Sequence, residues 1–128
     1  MTEDKAFYKS KAWKTKREAI LRRDKYQCQY MKRYGKAMEA QHVHHIFPLE
    51  YYPEFRLCSW NLISLSTEAH NRMHDRETHE LTAEGQRLLE KTARAQGLDR
   101  QGRKLERPRQ IQKQNTETDG QQVKAGLT

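Results

Sequence analysis

Large apolar side chains are scarce in this chain. Hydrophobic residues fill 34% of its 128 positions and the mean hydropathy is −1.19. The core must therefore be small, with part of the chain outside it. No run approaches the roughly 18 consecutive apolar residues that a membrane-spanning helix needs. The opening MTEDKAFYKS has no apolar signal core, so a cytoplasmic protein is expected. Cysteine is also rare. Cys28 and Cys58 are too few for a disulfide framework and fit a reducing compartment. No internal repeat is visible, and the length suits one domain with some tail.

What the chain has in plenty is positive charge. Lys and Arg number 25 against 17 Asp and Glu, a net +8, and the isoelectric point is near 9.6. Such a balance commonly serves a polyanionic partner, although it also aids solubility. The charge is uneven. Residues 1–36 hold 12 Lys and Arg against 4 acids, whereas residues 37–96 hold 6 against 9. The front has a positive field and the middle, where the histidines gather, does not. That division suggests a phosphate-binding part and a chemical part.

Periodicity predicts a helix over 10–24, with Trp13, Arg17, Ile20 and Leu21 on one stripe and Ser10 as its N-cap. Residues 25–38 read as a turn or loop, with a tight bend at Gly35. A strand is expected over 40–46, a loop marked by Pro48 and Pro53 over 47–60, and a short apolar strand over 61–65. Ser66 can cap a helix to about residue 77, and Thr82 another to about 96 that buries Leu88 and Leu89. From 97 onward the composition turns to Gln, Gly and charge, the pattern of a flexible basic tail.

Four histidines and one asparagine call for a joint account. His44 and His45 lie on the first expected strand, Asn61 begins the second, and His70 and His74 follow on the helix. Spacing of four puts His70 and His74 on one helical face, where they can grip one ion. Alternate side chains on a strand face opposite ways, so one of His44 and His45 can join them while the other faces substrate. Three protein ligands leave open positions for a phosphate oxygen, and a neutral imidazole nearby can take a proton from water. His42 and His79 read as surface residues, with phosphate contact a further reading for His42.

The arrangement HVHHIFP, NLISL and AHNRMH resembles the HNH endonucleases of the ββα-metal (His-Me finger) fold. The upstream FYKSKAWKTKREAILRRDKYQCQYMKRYGK is similar to the basic lead-in of small phage HNH proteins. The resemblance spans roughly residues 7–80. It implies an α+β domain over 1–96, with a basic helical lead-in over 7–36, a ββα-metal core over about 40–77 and a C-terminal helix. It also implies His45 as general base, Asn61 as the residue that stabilises the loop and helps orient that base, and His44, His70 and His74 as ligands of one divalent ion, whether Zn, Ni, Mn or Mg. Arg22, Arg23, Lys32 and Arg33 are then expected to touch phosphates, and Arg56 to reach a scissile phosphate. DNA is the implied substrate, cut with low sequence specificity, in the host cytoplasm if the gene is a phage's and beside the packaging terminase.

One departure from the family is plain. Many phage relatives carry two Cys-x-x-Cys pairs on a structural zinc, and the matching positions here are Cys28, Met31, Ser66 and Ala69. One thiolate cannot hold a tetrahedral zinc, so no structural zinc is expected. Trp13, Ile20, Tyr26, Met31 and Leu65 are the candidates for joining lead-in to core instead. The alternative reading is a nucleic-acid-binding module of the same fold that does not cut.

Overall fold

The computed structural model describes residues 2–105. Helix α1 (Thr2–Lys9) leads into α2 (Lys11–Arg23) through Ser10, whose hydroxyl donates to the Phe7 carbonyl at 2.6 Å and accepts from the Trp13 N–H at 3.1 Å. One residue thus closes the first helix and caps the second. Trp13, Ile20 and Leu21 are buried as their spacing predicts. Arg17 instead reaches over to donate to the Gln41 carbonyl at 2.9 Å.

Strands β1 (His42–His45) and β2 (Leu62–Leu65) form an antiparallel pair in the register His42↔Leu65, Val43↔Ser64, His44↔Ile63, His45↔Leu62. Alternation sorts the side chains. Val43 packs with Trp13, Ile20 and Leu62, and His45 stacks on Trp13, so this face meets α2. His42 and His44 point to the other face, toward α4 (Thr67–Asn71). Between the strands, the buried Phe47 meets Tyr52, Phe55 and Trp60 edge-on, at centroid distances of 5.1, 5.4 and 5.9 Å. Single 3-10 turns at Pro53–Phe55 and Ser59–Asn61 complete this loop.

The four positions matched to a zinc site are occupied differently. Cys28 Sγ accepts from the Met31 N–H at 3.5 Å and so caps α3 (Gln29–Lys32), a short helix where only loop was expected. Ser66 Oγ accepts from the Ala69 N–H at 3.2 Å and caps α4. Cys28, Met31 and Ala69 belong to one buried apolar cluster with Leu65, Phe47 and Met73. Tyr26 departs from the expected contacts: it is exposed, and its hydroxyl donates to Glu18.

Helix α4 stops at Asn71, short of the expected residue 77. Thr82 is the reason. Its N–H donates to the Met73 carbonyl at 2.9 Å and its hydroxyl to the Arg72 carbonyl, removing acceptors that another helical turn would use. The same hydroxyl accepts from Gly85 and caps α5 (Ala83–Gln96). Gly85 permits this docking, because a Cβ there would lie 2.5 Å from the Met73 carbonyl oxygen. Leu88, Leu89 and Ala93 anchor α5 in the core.

The segment after α5 does not trail away at 97. Gly97 ends the helix in the left-handed region, and Leu98 is buried and bridges to Lys104. Gly102 lies so close to Phe55 that a Cβ would come within 2.8 Å of its ring. Apolar burial of Leu98 holds this turn against the aromatic loop. The rest of the expected tail, 106–128, lies outside the described residues.

Candidate metal centre

His44, His70 and His74 converge, each offering a ring nitrogen within 4.8 Å of the others. Their centroids stand 5.5 Å (His44 to His70), 5.3 Å (His44 to His74) and 6.0 Å (His70 to His74) apart. The route differs from expectation, because His74 is beyond the end of α4. It sits instead on an extended stretch that bridges to Leu81. A turn follows, in which the Asp75 carboxylate accepts from the N–H groups of Glu77 and Thr78 at 2.8 and 2.9 Å. The turn brings round the His79 carbonyl, which accepts from His74 Nδ1–H at 3.2 Å. A carbonyl only accepts, so Nδ1 is the donor, and in the neutral ring the Nε2 lone pair is the one left for a metal. His79 takes part through its backbone, a role that sequence spacing does not announce.

Electrostatics favour ligation. His44 is 2% exposed. Burial, followed by the neighbouring His70, His74 and His45, pushes its imidazole well below the usual histidine range. His70 is lowered to about 4, by burial first and then by His42 and His74. Both rings are therefore unprotonated at neutral pH, the form that binds metal. His44 Nε2 is buried with no hydrogen-bond partner among the described residues. A buried ring nitrogen without a partner costs free energy, and in the tautomer that leaves its lone pair free a cation fits. His42 stacks on His70 at 4.8 Å, and its Nε2 lies 3.0 Å from Thr67 Oγ1, so it braces a ligand from outside.

His45 faces the other way and has a setting of its own. Its Nε2 lies 3.1 Å from the Arg56 carbonyl, to which it must donate, so Nδ1 keeps its lone pair. The Tyr8 hydroxyl is 3.5 Å from that Nδ1, and Trp13 stacks on the ring at 4.9 Å. Neither Tyr8 nor Trp13 is marked by a motif. His44, His45, His70 and His74 all line one cleft of about 450 Å³, which Tyr8 also borders.

Asn61 is fully buried. Its Oδ1 accepts from the Phe47 N–H at 2.7 Å, and its Nδ2 donates to the carbonyls of Phe47 and Phe55 at 3.2 Å each. It clamps both ends of the loop whose Arg56 carbonyl meets His45, so it reaches that ring only through the backbone. Asn61→Ala leaves the Phe47 N–H buried and unpaired and lowers unfolding free energy by about 1–3 kcal/mol. Urea titration checks this, and an unshifted midpoint would show that the loop holds without the amide.

The expected phosphate contacts divide. The Arg23 guanidinium meets Asp24 at 2.8 Å, the Ser59 carbonyl at 2.9 Å and the Leu62 carbonyl at 2.8 Å, tying α2 to β2. The Arg56 side chain folds onto the Pro53 carbonyl at 2.7 Å, and its backbone carbonyl meets His45. Arg22 stands exposed in a loose 3.9 Å pair with Glu18. Lys32 and Arg33 are exposed, and neither lines the histidine cleft.

An antiparallel hairpin followed by a short helix, with histidines from strand and helix around one point, is a ββα-metal fold. The HNH endonuclease of the deep-sea thermophilic bacteriophage GVE2, crystallised with manganese ion, is similar to this chain, with 39% sequence identity and a TM-score of 0.55. The match covers 56% of this chain and 77% of that one. The chain belongs to the HNH endonuclease family. No family model matches it, nor does any curated protein.

Proposed function

We propose that the protein is a metal-dependent DNA endonuclease that hydrolyses phosphodiester bonds with low sequence specificity. The observation that carries this reading is the convergence of His44, His70 and His74, with a buried, unpartnered nitrogen on His44, in the cleft that His45 also lines. His44, His70 and His74 would hold one divalent ion. Bound there, the ion supplies positive charge to the phosphate and leaving oxygens. Three imidazoles suit Zn²⁺ or Ni²⁺ better than Mg²⁺.

His45 is the general base. Its Nδ1 takes a proton from water, the water oxygen bonds to phosphorus, and the bond to the leaving deoxyribose oxygen breaks, that oxygen then taking a proton from solvent. The Arg56 carbonyl fixes the ring's tautomer and Trp13 fixes its plane. Asn61 is a positioning residue, acting through the loop it clamps. Arg22, Lys32 and Arg33 contact phosphates, which position DNA without reading its sequence. The work would fall in the host cytoplasm, beside the packaging terminase, if the gene is a phage's. Among the described residues no helix is long and apolar enough to cross a membrane.

The test is supercoiled plasmid incubated with Mn²⁺, Ni²⁺, Zn²⁺ or Mg²⁺ in turn. Nicked or linear product is expected with at least one ion and none in excess chelator. Intact plasmid with every ion, at protein concentrations that shift the plasmid on a gel, would overturn the endonuclease and leave the non-cleaving module.

A further inference from the structure

A second groove lies between α3 and the outer face of α5, about 390 Å³ in volume, and it shares no residue with the histidine cleft. Helix α5 separates the two. Gln86 and Leu89 turn toward the cleft, while Arg87, Lys91 and Arg94 line the groove with Arg33 from the end of α3. All four cations are exposed, and none has a hydrogen-bond or ion-pair partner among the described residues. The groove's two acids are already engaged. Glu84 accepts from the Tyr30 hydroxyl, and Glu90 pairs with Arg100 at 3.1 Å. Four cations against two acids, one of them paired with Arg100, leave a net positive surface. Tyr30 and Tyr34, edge-on at 5.4 Å, form one wall of it.

We propose that this groove is a nucleic-acid backbone site distinct from the cleft, in which Arg33, Arg87, Lys91 and Arg94 hold successive phosphates of one strand. At 1.5 Å per residue, positions 87, 91 and 94 spread three cations over about 10 Å of helix. One strand of duplex advances about 3.4 Å per phosphate, so that row spans roughly three phosphates. Cations repeated along one helix match the regular charge of a phosphate backbone better than an acidic peptide, whose carboxylates have no fixed repeat. Arg33 thus falls on a phosphate surface, but one facing away from the chemistry.

The site is independent of the cleavage reading, because binding is measured with metal chelated. Fluorescence anisotropy of a labelled 30-base-pair duplex is followed across a salt series, with the wild type compared to the triple variant Arg87→Ala, Lys91→Ala, Arg94→Ala. Each lost phosphate contact lowers the slope of log K against log salt by about 0.9, so a reduction of roughly 2–3 is expected. A charge-matched control, Arg76→Ala, Arg103→Ala, Lys104→Ala, lies off the groove and should change the slope by less than one. Equal reductions in the two triples would reduce the effect to net charge and overturn the site. So would a poly-glutamate peptide that binds as tightly as the duplex and loses affinity through the same three substitutions. The substitutions are exposed, and thermal melts of both triples should match the wild type within a few degrees.

Discussion

His45→Ala lowers single-turnover plasmid cleavage by about 10²–10⁴-fold, the range that a positioned general base contributes. Metal affinity stays within a few-fold of the wild type. The two outcomes separate because β1 sends consecutive residues to opposite faces: His44 to the metal cluster and His45 to Trp13. The ring removed by this substitution has one nitrogen fixed on the Arg56 carbonyl and the other near the Tyr8 hydroxyl. No ring from elsewhere takes its place, since His42, His70 and His74 belong to the other face of the hairpin. Cleavage within tenfold of the wild type, with metal affinity intact, would remove His45 from the role of base.

His44→Leu gives the second large effect, and it acts in two directions. Metal binding falls by at least 100-fold, since two of three ligands remain and the buried one is lost. Metal added at 100 times the wild-type Kd stabilises the wild type by about 2.7 kcal/mol and the variant by almost nothing. Without metal the variant melts no lower than the wild type. The reason is the buried, partnerless Nε2, whose desolvation the apo protein bears and leucine does not. Isothermal titration and paired thermal melts read both halves. A large fall in the apo melting temperature would mean that His44 holds the core together, not an ion.

The order of elements was largely legible in the sequence because its signals are local. Ser10, Ser66 and Thr82 each cap the helix that follows them, as a hydroxyl before a helical stripe should. Strand alternation separated His44 from His45, and His70 and His74 do meet at one point, although His74 reaches it from an extended stretch past α4 and not from the helical face their spacing implied. The misses come from contacts distant in sequence. Thr82 cuts α4 short by taking two of its carbonyls, and nothing in residues 66–77 reports that. Cysteine capping a four-residue helix is a weak local signal, so α3 was hidden in an expected loop. Arg23 looks like surface charge until β2 supplies carbonyls for its guanidinium. Leu98, alone in a polar stretch, gives no periodicity, although burial holds it. Backbone participants such as the carbonyls of Arg56 and His79 carry no sequence signal at all.

Cys28 and Ser66 each cap a helix at positions where relatives place zinc thiolates. The two turns are closed by their own side chains, over a shared apolar contact through Met31 and Ala69. Each cap reaches an N–H only three residues further on, so both corners of the fold are drawn by short stretches of chain while the cluster beneath them joins segments nearly forty residues apart.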